Sequence, residues 1–325
     1  MRNERIPWLL PALMVAGSLL GSGAVAAPAY AGEFELKEDE QGVTVKVDGK
    51  LFTRYLKRSG AKPILWPLVG PSGKEMTRGY PMRDATKDEK QDHIHHRSMW
   101  FTHGDVNGIS FWHETKGHGN IVHKKFTTVE GGKTGVIESV NDWIAPSGKR
   151  QCQDRRRFVF HADSNRRWID VELTVTATDG PVTFGDTKEG CFGVRVAGTM
   201  RTERPDGGTI VNSRGDRNKD AWGKQAEWVD YYGPVDGETV GIAIMNHPSS
   251  FRYPTYWHVR TYGLFTANPF GWHDFQRDRS LDGSKKLEPG ESFTLRYRML
   301  IHLGDNKKGN VAQVYQDYAA GDGRP

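Results

Sequence analysis

The residues best equipped for chemistry lie together: Asp92-His93-Ile94-His95-His96-Arg97, followed by Trp100, His103, Asp105, Asn107 and Trp112. Imidazole, carboxylate and guanidinium in one short stretch can bind a metal, move a proton or grip a hydroxylated ligand. If residues 92–97 are extended, His93 and His95 point to one face, with Cβ atoms roughly 6.6 Å apart, two strand rises. Two imidazoles so placed can close on one Zn, Cu or Fe ion, with His103 as a third ligand, so one divalent metal ion is a candidate cofactor. The same pair could instead be a proton donor and its orienting partner at a sugar oxygen.

His113-Glu114-Thr115-Lys116-Gly117-His118 fails as a zinc-protease helix, because its histidines are five apart, not four, and a glycine intervenes. The sequence holds no Gly-x-Ser-x-Gly, phosphate-binding Gly-rich loop or dinucleotide fingerprint.

A second polar run is Asp186-Thr187-Lys188-Glu189-Gly190-Cys191-Phe192-Gly193-Val194-Arg195. Extended, it places Glu189 on one face with Cys191, Gly193 and Arg195. Glu189 and Arg195 could then be a structural ion pair, or a base beside a substrate-gripping guanidinium. A third region contains Asn246-His247-Pro248, Arg252, Trp257-His258-x-Arg260, Tyr262 and Asn268-Pro269-Phe270-Gly271-Trp272. Rings mixed with hydrogen-bonding side chains suit a sugar, whose C–H face stacks while its hydroxyls are read by polar groups. Trp222 and Trp228 could contribute, although tryptophans also fill β cores. Arg155-Arg156-Arg157 and Arg166-Arg167 read as solvated strand faces.

These residues need a scaffold, and its dominant period is two. Ile169, Val171, Leu173, Val175 and Ala177 alternate with polar residues, as do Phe293, Leu295, Tyr297, Met299 and Ile301, with His302 on the wet side. Asp48-Gly49 between apolar runs marks a hairpin, and Thr178-Asp179-Gly180-Pro181 another turn. The spread of 38 Gly and 16 Pro fits many short strands. One helix is expected at the C-terminus, from a cap at Asn310 through Val311, Val314, Tyr315 and Tyr318 to Gly321, as a strap on a sandwich.

The chain opens with Arg2 and Arg5, an apolar run broken by Pro7 and Pro11, and small residues ending at Ala29-Tyr30-Ala31, which together read as a cleavable signal peptide. Cleavage there leaves 294 of the 325 residues, expected to form one domain, 32–325, exported to the periplasm or the extracellular space. The net charge falls from +5 to +4, since the removed segment carries two Arg and one Glu. So mild a surplus permits anionic sugars and gives no argument for nucleic acid. No segment after the signal is apolar enough to span a bilayer. Two cysteines, Cys152 and Cys191, could pair in an oxidising compartment or remain separate buried thiols.

The histidine run through Gly108, Lys188-Glu189-Gly190-x-Phe192-Gly193-x-Arg195, Trp222-Gly223, and Asn246-His247-Pro248 to Asn268-Pro269-Phe270-Gly271 together resemble the PmoA-like family of exported bacterial proteins, from about residue 60 to 303. Asn246 departs from the aspartate expected before His-Pro. The resemblance implies an all-β fold, an antiparallel supersandwich like galactose mutarotase, and Leu287-Glu288-Pro289-Gly290-Glu291 looks like the lead into its closing strand. That fold hosts sugar epimerases, lyases, hydrolases and non-catalytic domains, so function must come from the site.

The expectation is therefore an exported enzyme acting on a sugar or glycan. His95 or His96 would donate a proton, and Glu189 or Asp105 would act as base. Arg97, His103, Arg195, His247, His258 and Asn268 would hold the substrate, with Trp100 or Trp257 stacked on it. The alternatives are a glycan-binding protein without catalysis and, as the family's "methane oxygenase" label implies, a metal-dependent oxygenase using His93, His95 and His103.

Overall fold

The structure, a computed structural model, describes Met1 and residues 32–321. The expected signal peptide therefore lies outside the described residues, apart from Met1. The chain runs through β1 (Phe34–Asp39), β2 (Gly42–Val47), β3 (Lys50–Ser59), β4 (Lys62–Leu68), β5 (Met99–His103), β6 (Asn120–Glu130), β7 (Gly135–Ile144), β8 (Arg150–Ala162) and β9 (Arg166–Thr176). It continues with β10 (Val182–Phe184), β11 (Gly190–Arg195), β12 (Thr209–Asn212), β13 (Trp228–Val235), β14 (Glu238–Asn246), β15 (Tyr256–Val259) and β16 (Leu264–Asn268). A short helix α1 (Trp272–Phe275), β17 (Lys285–Leu287), β18 (Ser292–Leu303) and helix α2 (Val311–Ala320) complete it.

Two eight-stranded antiparallel sheets result, in the orders β1-β2-β3-β4-β5-β11-β16-β15 and β12-β13-β14-β18-β9-β8-β7-β6, with β10-β17 as a small third sheet. The expected all-β sandwich with a C-terminal helix is observed. The two-residue period explains it: Ile169, Val171, Leu173 and Val175 of β9 and Phe293, Leu295, Tyr297, Met299 and Ile301 of β18 all join the main core, which both sheets line. Asp48 and Gly49 make the β2–β3 hairpin with φ of 51° and 70°, the left-handed geometry a two-residue turn requires. Cys152 and Cys191 are free thiols in this core.

The outer face of the second sheet is closed by α2, whose Val311, Val314 and Tyr318 pack on Trp228, Met245 and Leu300. Asn310 precedes this helix in the left-handed region, at φ 52°, and its side chain makes no capping bond, contrary to the expected role. Among the described residues the outer face of the first sheet meets only short helical pieces, and only at its edge, where Phe275 of α1 stacks on Tyr256 of β15 at 5.5 Å. On this face Ile64, Trp100 and Leu264 form a small separate cluster with Trp112, and the loops before and after β5 fold down on it.

The basic runs are not simply solvated. Arg156 is buried on Asp154 at 2.8 Å, and Arg167 is buried, donating to the carbonyls of Leu51 and Val69. Among the described residues no helix is long and apolar enough to cross a membrane.

Candidate functional site on the outer face of the first sheet

Residues 92–97 form a turn and loop leading into β5, not a strand, so the expected His-x-His strand geometry does not arise. A buried arginine shapes this loop. Arg78 donates to the carbonyls of Lys90, Asp92, His93 and His96 at 2.9–3.1 Å and to the Asp92 carboxylate at 2.7 Å. Arg195, at the end of β11, reaches the same Asp92 oxygen at 2.8 Å and His96 Nδ1 at 3.0 Å. Both guanidiniums are about 1% exposed, so one carboxylate is shared by two buried cations. Burial would push Asp92 up, but Arg195, His93 and Arg78 outweigh it and hold the carboxyl below its usual range. An arginine cannot accept, so His96 Nδ1 does, and the proton of this ring sits on Nε2.

Above this anchor the rings stack in one column. Tyr262 lies on His93 at 5.2 Å and 7°, His93 on His96 at 4.8 Å and 5°, and His96 on Trp100 at 5.4 Å and 11°. Trp100 can lie flat because Gly193 faces it across β11; a Cβ there would sit 3.1 Å from the indole. His95 meets the column edge-on, 4.5 Å from His96, and also contacts His113 at 5.0 Å and Trp112 at 6.0 Å. Beside it Glu114 takes two bonds from Arg97, at 2.9 and 2.8 Å, and one at 3.1 Å from the fully buried Lys62. Burial pushes the Lys62 ammonium down to about 8 despite Glu114, and Arg97 and Lys62 pull Glu114 down to about 2 against its own burial. Burial, helped by Lys62, His113 and His93, pushes His95 down to about 3; burial and His95 drive His96 well below its ordinary value. Both imidazoles are therefore neutral near pH 7.

A second polar patch adjoins the column through Tyr262. Arg195 lies 4.8 Å from the Tyr262 ring, and Arg260 bonds to Tyr262 while lying 5.3 Å over Trp222. His258 donates from Nδ1 to the Lys188 carbonyl at 2.8 Å, and burial takes it down to about 4 even with Glu189 nearby. Glu189 acts electrostatically on both Tyr262 and His258 and pairs with Lys188 at 3.3 Å, not with Arg195.

The expected residues thus divide. His93, His95, His96, Arg195 and Trp100 meet, with Arg97 tied in through Glu114; Glu189 and His258 form the adjoining patch. Trp100 is only 2% exposed, so it floors the stack and does not cover a ligand. Trp257 is buried in the core with its Nε1 on the Ala226 carbonyl at 2.9 Å, so it cannot stack on a sugar. His103 points into the core, 2.9 Å from the Gly185 carbonyl and 4.6 Å from the Phe270 ring. It cannot join His93 and His95 on a metal, and among the described residues no three His, Cys, Asp or Glu side chains are placed to hold one. Asp105 closes a turn on the Gly108 amide at 2.8 Å. His247 sits beneath α2, 5.0 Å from Tyr318, and Asn268 ties the Thr187 carbonyl to the Phe270 amide. Asn246 is buried and bonded to backbone on both sides, a structural duty that requires no acid. Sequence reasoning passed over Arg78, Lys62 and Glu114. Only Glu114 carried a local signal, its place in the rejected His-Glu motif.

Residues 42–316 match DUF6807, described as a family of unknown function, and the chain belongs to that family. The match carries no PmoA label. No curated protein is significantly similar. Among solved structures, the chain is similar to a putative aldose 1-epimerase from Klebsiella pneumoniae, at 11% identity and TM-score 0.43, over 90% of this chain and 88% of that one. It is also similar to a galactose mutarotase-like protein from Lactobacillus casei, at 8% identity and TM-score 0.39, over 83% and 100%. A family 36 α-galactosidase from Geobacillus stearothermophilus gives 12% identity and TM-score 0.41 over 84% of this chain, which spans only 40% of that enzyme. Overlaps this loose carry no argument about substrate or reaction.

Proposed function

We propose that this protein is an exported carbohydrate-active protein, formed by residues 32–325 as one domain, that binds a sugar against Tyr262, His93 and His95. The observation that supports this is the ring column, which is floored by buried Trp100 and ends in half-buried Tyr262 and exposed His93. His93 has Tyr262 and His96 on its two faces, so Tyr262 is the ring that meets sugar C–H groups, while the neutral imidazole of His95 can donate to and accept from hydroxyls. The two buried arginines on Asp92 fix that surface in advance, which lowers the ordering cost of binding.

In the catalytic form of this reading Glu189 takes a proton from a sugar hydroxyl. His95, neutral, donates a hydrogen bond to the oxygen on which charge develops. A neutral imidazole can serve as such an electrophile, and the depressed His95 and His96 leave no imidazolium to act as acid near pH 7. That same depression favours a second reading, glycan binding without turnover. The oxygenase reading has no convergent ligand set behind it among the described residues.

The test is a saccharide panel against residues 32–325, with affinity by calorimetry and products by NMR. Tyr262→Ala and His95→Ala are expected to weaken binding about 100-fold, the loss of 2–3 kcal/mol of contact. Glu189→Gln is expected to abolish products while binding persists. Unchanged binding in both Tyr262→Ala and His95→Ala would sink the site; binding with no product from any saccharide would select the second reading. Export is checked by the N-terminus of the protein recovered outside the cytoplasm, expected at Gly32.

A further inference from the structure

The outer face of the first sheet continues past Tyr262 into a cleft of about 940 Å³ at the β15 edge. Its walls include Trp222, Tyr256, Lys219, Lys224 and Arg277. The cleft and the ring column are joined by contact: Trp222 lies under Arg260, Arg260 bonds to Tyr262, and Tyr262 stacks on His93. The Trp222 indole N–H has no hydrogen-bond partner among the described residues.

The cations of this cleft differ from those beneath the ring column. Arg78, Arg97, Arg156 and Arg195 are each bound to a carboxylate. Lys219, Lys224 and Arg277, by contrast, form no ion pair among the described residues and are all exposed. Arg214, also on the wall, is paired with Glu227. The wall also carries two carboxylates, Asp220 and Asp216, the latter bonded to the Asn212 amide at 2.8 Å, so the three unpaired cations exceed them by one. Such a cleft attracts anions, and its aromatic side walls suit a sugar ring.

We propose that this cleft is a subsite for an acidic sugar unit, so that the ligand is an anionic oligosaccharide running from Lys224 and Arg277 past Trp222 to Tyr262. This deepens the carbohydrate reading and rests on it. Carboxylate and sulfate share the chemistry the cleft offers, and the experiment separates them.

The experiment compares three tetrasaccharides by calorimetry: one of uronates, one sulfated and one neutral. The protein is residues 32–325, as wild type, as the Lys224→Gln/Arg277→Gln double variant, and as Tyr262→Ala. Both substituted cations are exposed, so the fold should persist, and circular dichroism confirms it. At low salt at least one acidic tetramer is expected to bind wild type at least tenfold tighter than the neutral one. The double variant should bring that ratio close to one, and rising salt should do the same. Whichever of the uronate and sulfate arms shows the larger ratio names the group. An acidic-to-neutral ratio near one in wild type, or an undiminished ratio in the double variant, overturns the proposal. If neutral sugar still binds in a Tyr262-dependent manner, the carbohydrate reading survives that result. If no saccharide binds at all, both fall.

Discussion

Both outer faces of the sandwich bury histidine, in opposite electrostatic settings. On the second sheet His302 is fully buried 3.1 Å from Asp230; burial opposes its charge, but the carboxylate wins and raises its pKa. On the first sheet His95 and His96 are packed among rings and cations, and burial with cationic neighbours keeps them neutral. The second face is covered by α2, and the loop before it lies against His302, while on the first face His93 is exposed and reaches the cleft at the β15 edge only through Tyr262, Arg260 and Trp222. One face uses histidine as half of an ion pair, and the other uses it as an uncharged hydrogen-bonding surface. The first arrangement adds stability, and the second subtracts it as pH falls.

The largest expected effect tests the anchor beneath the imidazoles. Arg195→Ala strips one of two cations from partly exposed Asp92, which keeps Arg78, and the donor from buried His96 Nδ1. It should cost about 2–3 kcal/mol in urea unfolding, the range for losing charged hydrogen bonds to a buried acceptor. A loss below 1 kcal/mol would mean the anchor is not stabilising and the contrast between the faces is wrong.

Next comes pH. A histidine held neutral in the folded chain but free to protonate near 6.5 when unfolded makes stability fall as pH drops below about 6.5, and for His95 this continues to about 3. Each such group contributes a slope of up to about 1.4 kcal/mol per pH unit. His302 has the opposite sign: its contribution is complete below about 6.5 and fades as pH rises through its raised folded value. Thermal midpoints measured from pH 4 to 8 should therefore climb between 4 and 6.5 in wild type, less steeply in His95→Gln. His302→Gln should remove stability at pH 6 more than at pH 8. An unchanged low-pH slope in His95→Gln would break the comparison.

The sequence carried the scaffold better than the site. Period two is local, so β9, β18 and the Asp48-Gly49 hairpin could be read directly. Alternation, however, says only that Trp257 and His258 lie on opposite faces. Which face meets the core depends on the partner sheet, and that put Trp257 inside. The histidine run was recognised by composition, but its conformation is imposed by Arg78, 14 residues before Asp92, which no local pattern connects to it. Arg167 misled for the same reason, since it bonds carbonyls of the opposite sheet; Asp154 lies two residues before Arg156 on β8, and what alternation left open is that their face is the buried one. Asn310 has a capping residue's identity, but its left-handed backbone keeps the side chain from the helix N–H groups.

The smallest effects belong to the second face, and they decide whether its cover is only structural. Val314→Ala in α2 removes part of the apolar seam over Trp228 and Met245 and should cost about 1–2 kcal/mol. Arg296→Ala breaks a partly exposed pair with Glu172, worth about 1 kcal/mol or less because water and salt screen it. Neither substitution touches the ring column, so saccharide affinity should match wild type in calorimetry while the unfolding midpoint falls. A change in affinity from Val314→Ala would show that the two faces are coupled through the shared core. The division of labour between charged and neutral histidine would then have to be drawn across the whole sandwich and not face by face.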